Sequence, residues 1–130
     1  MKRPIVGILT ATALAVGAAA TLAPTASAAV TPTCSATTLC TWKDGGYSGA
    51  SYSFPANKYV TIQKNDLKFT DGSLINDNIS SVYNNSPMRA TLYTNSNYQG
   101  LSWSLPPYTG IYSLAGVYND SFTSIYMTVA

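Results

Sequence analysis

The sequence predicts an all-β domain made of two copies of one structural unit. Three observations lead there. Tyr, Ser, Thr and Asn dominate the chain beyond its first residues. Tyr and Thr favour strands, while Ser and Asn favour turns. No long apolar pattern of helical period runs through it. Finally, the stretch Trp42–Pro55 reappears as Tyr93–Pro106 without a gap, and Asn76–Ser81 returns as Asn119–Ser124. Self-similarity of this kind marks a repeated supersecondary unit.

The first residues stand apart from that pattern. Lys2 and Arg3 precede an apolar run from Ile5 to about Leu22, and Ala26-Ser27-Ala28 follows. This order of basic start, apolar run and small residues predicts a secretory signal peptide over residues 1–28, cleaved after Ala28. No other stretch is long and apolar enough to span a bilayer. The expected product is a secreted, extracellular domain over residues 29–130, without a membrane span and monomeric. Lys43, Lys58, Lys64, Lys68 and Arg89 then face Asp44, Asp66, Asp71, Asp77 and Asp120, five against five. A neutral chain lacks the basic face that phosphate backbones or anionic membrane surfaces require, so no nucleic-acid partner is expected.

Cys34 and Cys40 are the only cysteines. In a secreted chain an even pair at short spacing predicts a disulfide, here pinning the mature N-terminus beside the first strand. The chain-entropy contribution of so small a loop is roughly 2 kcal/mol. A zinc site is excluded by the want of partners, since the chain has no histidine and no third cysteine.

Each repeat then unfolds in the same order. Leu39–Trp42 and Ala90–Tyr93 read as strands. Lys43–Gly46 and Thr94–Asn97 are four-residue tips, each flanked by two aromatics: Trp42 and Tyr47, then Tyr93 and Tyr98. The ring pair can cover a hairpin folded back on itself. Gly49 and Gly100 stand where the backbone needs positive φ or close approach. Ser51–Pro55 and Ser102–Pro106 form the return strands. Asn84–Pro87 reads as the connector between repeats. Ser81 and Ser124, the last residues of the Asn-Asp loops, are placed to bond free backbone groups of the folded hairpins.

The loops Asn76-Asp77-Asn78-Ile79-Ser80-Ser81 and Asn119-Asp120-Ser121-Phe122-Thr123-Ser124 are dense in oxygen, the donor that hard cations such as calcium prefer. Polar turns entering strands have the same composition, but two copies in matched contexts point beyond a simple turn. The whole pattern resembles the βγ-crystallin family: aromatic, four residues, aromatic, any, Gly, and later Asn/Asp-Asn/Asp-x-x-Ser/Thr-Ser. The resemblance covers essentially all of residues 29–130. It implies two four-stranded Greek key motifs, about 34–85 and 88–130, forming a βγ-crystallin-type sandwich. It also implies two calcium sites, each drawing on both loops. Carried over by position, Asp77 and Asp120 offer side-chain oxygens and Ser80 and Thr123 hydroxyls. Asn78, Ser121, Lys43 and Thr94 offer carbonyls, while Asn76 and Asn119 brace the loops. With about one carboxylate per site, and Lys43 where an acid would help, the expected dissociation constant is on the order of 10⁻⁵ to 10⁻³ M.

Catalysis is not expected. Without histidine or glutamate, acid–base work would fall to five scattered aspartates, lysine or tyrosine. A Ser-His-Asp arrangement is impossible. Two non-enzymatic readings follow: a calcium-binding structural or stress-related module, or a secreted inhibitor of metalloproteases. Cys34-x5-Cys40 running into Trp42 resembles small secreted bacterial metalloproteinase inhibitors of this fold, although those carry a second disulfide. From the hairpin Gly to the Asn-Asp loop the first repeat is eight residues longer, 27 positions against 19. The excess lies within Asn57–Ser73, the expected place for a partner contact. Tyr83, Tyr93, Tyr98 and Tyr126 are expected to pack at sheet edges.

Overall fold

In the computed structural model the described residues are 30–56, 60–61 and 66–130. The predicted signal peptide lies outside them. The chain divides into Met1–Val30 and Thr31–Ala130, and the second unit carries the fold. Eight strands alternate with turns: β1 Thr38–Asp44, β2 Ser48–Pro55, β3 Val60–Thr61, β4 Ser81–Asn85, β5 Met88–Asn95, β6 Gln99–Leu105, β7 Thr109–Ile111 and β8 Ser124–Val129. One 3-10 turn, Gly116–Tyr118, precedes the second Asn-Asp loop.

Two four-stranded antiparallel sheets result, ordered β2-β1-β4-β7 and β3-β8-β5-β6. Each repeat keeps three strands in one sheet and gives its third strand to the other. These are the two Greek keys of the predicted all-β sandwich. The registers also match: Trp42 lies opposite Ser51 in the first hairpin, and Tyr93 opposite Ser102 in the second.

Alternation along the strands aims one apolar set between the sheets. Leu39, Phe54 and Val82 come from the first sheet, and Ala90, Leu92, Leu105, Ile125 and Met127 from the second. Phe69, Ile75, Ile79, Leu114 and Phe122 close the core from the connections. A fully buried Leu, Ile or Phe contributes about 1.5–3 kcal/mol, so these side chains set the fold's stability.

The joint between the keys is tighter than the sequence suggests. Asn84 and Asn85 close β4 and leave only Ser86 and Pro87 as connector. Asn84 tolerates this fully buried strand position because its polar atoms are satisfied. Its Nδ2 donates to the carbonyls of Met88 at 2.7 Å and Pro106 at 3.1 Å. Its Oδ1 accepts from Ser86 Oγ at 2.6 Å. A buried polar group paired in this way avoids the desolvation cost it would otherwise carry.

Candidate functional site: the crossed loops

The site begins at the folded hairpins. Past the β1 tip, Gly46, Tyr47 and Gly49 take positive φ, and past the β5 tip Asn97, Tyr98 and Gly100 do so. A side chain at Gly49 would collide with the Asp44 carboxylate, and one at Gly100 with Thr94 Oγ1 and Asn95, so only glycine allows the chain to double back. Trp42 and Tyr47 then meet with ring centroids 5.1 Å apart, and Tyr93 and Tyr98 at 6.1 Å.

Ser81 and Ser124 lock these hairpins. Ser81 Oγ accepts the Tyr47 N–H at 3.0 Å and donates to the Asp44 carbonyl at 2.7 Å. Ser124 Oγ accepts the Tyr98 N–H at 3.1 Å and donates to the Asn95 carbonyl at 2.6 Å. Both serines are fully buried. Repeated geometry on a repeated residue fixes their role as structural.

That anchoring leaves Ser80 and Thr123 at the crossing of the loops. Ser80 N–H donates to the Trp42 carbonyl at 2.9 Å, and Thr123 N–H to the Tyr93 carbonyl at 2.8 Å. Ser80 Oγ then reaches the opposite loop and donates to Asp120 Oδ1 at 3.0 Å. Thr123 Oγ1 lies 3.2 Å from Asp77 Oδ1 and 3.0 Å from the Thr94 carbonyl, sharing its hydrogen between them. The backbones cross as well: Asp77 N–H donates to the Phe122 carbonyl at 3.3 Å and Asp120 N–H to the Ile79 carbonyl at 3.0 Å. Each aspartate thus stands beside the hydroxyl of the other repeat. Both take positive φ, which Asp tolerates better than most residues.

The remaining predicted residues shape the loops. Asn76 Nδ2 donates to Asp77 Oδ2 at 3.3 Å, and Asn119 Nδ2 to Asp120 Oδ2 at 3.0 Å. Asn78 Nδ2 donates to the Leu74 carbonyl and Ser121 Oγ to the Asn119 carbonyl. Lys43 follows Trp42 at the hairpin tip, and its ammonium pairs with Asp71 Oδ2 at 3.2 Å. Hydrogen bonds from the Ser73 side chain and backbone, then Lys43, lower the Asp71 pKa to about 2.

The donor set is compatible with a hard cation. One cluster offers Asp77, Thr123 and the Thr94 carbonyl, and the other Asp120 and Ser80. All donors are oxygen, with one carboxylate each. Among the described residues, Asn76 Oδ1 is a buried oxygen with no hydrogen-bond partner, at the edge of the first cluster. No group of three or more His, Cys, Asp or Glu that could hold a metal ion occurs among them.

The Cys34–Cys40 disulfide is formed, with Cα atoms 6.0 Å apart. It ties the strand-leading segment to β1, and Asn85 Nδ2 adds a hydrogen bond to the Cys34 carbonyl at 2.7 Å. Tyr83 and Tyr112 both stand edge-on to Tyr47, at 6.1 and 5.4 Å. Burial, then the Tyr83 and Tyr112 phenols, raises the Tyr47 pKa. The Tyr112 contact has no counterpart in the repeat pattern and was not visible in it.

The profile of peptidase inhibitor family I36 matches residues 27–105. The chain belongs to that family. The match takes in the disulfide, all of the first Greek key and the β5–β6 hairpin. A βγ-crystallin domain from Clostridium beijerinckii superposes with a TM-score of 0.57 at 22% identity, covering 72% of this chain and 99% of that one. A βγ-crystallin domain from Flavobacterium johnsoniae gives 0.56 at 28% identity, covering 70% and 93%. The fold is therefore that of a βγ-crystallin domain. No curated protein matches the sequence.

Proposed function

We propose that this I36 family member is a secreted, non-enzymatic inhibitor of an extracellular metallopeptidase. The family match over residues 27–105 supports peptidase inhibition in general, and the metallopeptidase class rests on the likeness of Cys34-x5-Cys40 and Trp42 to small bacterial metalloproteinase inhibitors. The chemistry of the chain agrees with it. A rigid sandwich stapled by a disulfide offers a preformed surface, which lowers the entropy cost of binding. Without histidine or glutamate the chain is poorly equipped for hydrolysis of its own. The experiment is to incubate the mature chain with thermolysin and, separately, with subtilisin, and to measure residual hydrolysis of a peptide substrate. Loss of thermolysin activity alone supports the metallopeptidase class. Loss of subtilisin activity alone reassigns the class, and no loss in either rejects the inhibitor reading.

A second property is favoured by a separate observation, the crossed Asp120–Ser80 and Asp77–Thr123 pairs. In this reading the paired loops bind calcium weakly at two sites, and the ion fastens the two keys together. Asp77, Thr123 and Thr94 would hold one ion, and Asp120 and Ser80 the other. The carbonyls of Asn78, Ser121 and Lys43 complete the expected donors. Calcium here is a staple for the scaffold.

A further inference from the structure

The two oxygen clusters at the crossed loops follow one pattern and differ in charge at the hairpin tip. Ser80 N–H bonds the Trp42 carbonyl as Thr123 N–H bonds that of Tyr93. The Lys43 carbonyl is therefore the counterpart of the Thr94 carbonyl, which Thr123 Oγ1 meets at 3.0 Å. Thr94 is neutral, and its hydroxyl is engaged within its own hairpin, accepting the Leu101 N–H at 3.0 Å. Lys43 instead brings an ammonium to the tip beside the Asp120–Ser80 cluster. A cation tethered there opposes a divalent ion, because like charges repel with an energy that falls only as the first power of distance.

That ammonium is turned to Asp71, with Nζ 3.2 Å from Oδ2. A tight turn sets the Asp71 carboxylate in place. Its Oδ1 accepts the Ser73 N–H at 2.9 Å and the Ser73 hydroxyl at 2.6 Å, which leaves Oδ2 to Lys43. Phe69 N–H closes the turn on the Ser73 carbonyl at 2.8 Å, and Gly72 N–H on the Phe69 carbonyl at 2.9 Å. Phe69 is buried in the core, and Thr70 N–H donates to the Ser51 carbonyl of β2 at 3.1 Å. The carboxylate is thus anchored to core and sheet. The Lys43 and Asp71 side chains are 39% and 44% exposed, and a pair so open to water adds little to stability. Where it puts the ammonium is a separate effect. The turn belongs to the Asn57–Ser73 excess, which the second repeat lacks together with the lysine. Charge and countercharge occur together, in one repeat only.

We infer that Asp71 is a positioning residue for the Asp120–Ser80 cation site. It holds the Lys43 ammonium off the ion that the Lys43 carbonyl helps to bind. The assignment rests on the calcium reading above. It makes the two sites unequal in a defined way. The Asp77–Thr123–Thr94 site is indifferent to Asp71, while the other depends on it. The described end of Asn57–Ser73, the segment expected to meet a partner, thereby serves the chain's own loops.

The test is calcium titration of the mature chain by calorimetry, with thermal melts in chelator and in calcium. Asp71→Asn keeps the side-chain shape and an acceptor for Ser73 but releases Lys43. In an Asp77→Ala background, which leaves the Asp120–Ser80 site, Asp71→Asn is expected to weaken binding about tenfold. In an Asp120→Ala background it is expected to change the dissociation constant by about twofold or less. Adding Lys43→Met removes the freed cation and is expected to return most of the lost affinity. Melts of Asp71→Asn in chelator at neutral pH are expected to stay within a few degrees of the parent's. Should Asp77→Ala fail to fold, the two-site isotherm decides: Asp71→Asn must weaken one binding event and spare the other. Equal affinity with and without Asp71→Asn overturns the assignment and leaves the calcium reading standing. A loss that Lys43→Met does not restore overturns it as well, since the effect then belongs to the Asp71 charge itself. A parent with neither binding heat nor a melting shift in calcium removes the calcium reading and the assignment with it.

Discussion

Replacing Ser81 by Ala tests how the hairpins are held. The Ser81 hydroxyl is fully buried and makes two bonds, from the Tyr47 N–H at 3.0 Å and to the Asp44 carbonyl at 2.7 Å. A hydrogen bond contributes about 0.5–1.5 kcal/mol net, and a buried donor left unpaired costs about 1–3 kcal/mol. Asp44 is exposed, so water can take over its carbonyl. The half-buried Tyr47 N–H is harder to rescue, because Trp42, Tyr83 and Tyr112 surround its ring. The expected loss is about 2–3 kcal/mol. For a domain of this size that lowers the melting temperature by about 10–20 °C. The assay is a thermal melt in calcium-free buffer, followed by near-ultraviolet circular dichroism. Ser124→Ala should fall by a similar amount, since Ser124 repeats both bonds. Ser80→Ala, one residue away, should lose only a few degrees, because its partner Asp120 is exposed. A Ser81→Ala protein that melts with the parent would refute the reasoning.

Three further outcomes are expected. Calcium at a hundredfold excess over its dissociation constant should stabilise the chain by about 2.7 kcal/mol and raise the melting temperature by about 10–20 °C. Asp77→Ala and Asp120→Ala should each shrink that shift, and calorimetry without binding heat in the parent would reject the sites. Asp71 has its pKa lowered from 3.8 to about 2 in the fold, so its stabilising effect is present above pH 3.8 and lost as pH falls toward 2. Asp71→Asn should therefore flatten the acid melting profile in that window, and an unchanged profile would count against the Ser73 and Lys43 contacts. Gly100→Ala should destabilise the chain far more than an exposed strand substitution, because it meets both positive φ and the Thr94 and Asn95 side chains; a melt within a degree or two of the parent would contradict the folded hairpin.

Much of the architecture was legible because it is written twice. The aligned Trp42–Pro55 and Tyr93–Pro106 stretches carry the hairpins, their aromatic pairs and their glycines. Ser81 and Ser124 were readable for the same reason, and the disulfide from cysteine count and spacing. What was not legible occurs once. Asn84 reads as a turn residue, and only the packed joint shows the carbonyls of Met88 and Pro106 converging on its amide. The Lys43–Asp71 pair spans 28 positions with no counterpart in the second repeat. Tyr112 meets Tyr47 through the partner key's connection, a contact set by tertiary packing rather than local pattern.

The central claim is that this βγ-crystallin-type domain inhibits a metallopeptidase. It is tested most directly by titrating a fixed concentration of thermolysin with the mature protein, at constant calcium, and following hydrolysis of a peptide substrate. The account predicts activity that falls in proportion to added protein and reaches its floor at one equivalent. Activity that stays level through a large molar excess of folded protein would contradict it.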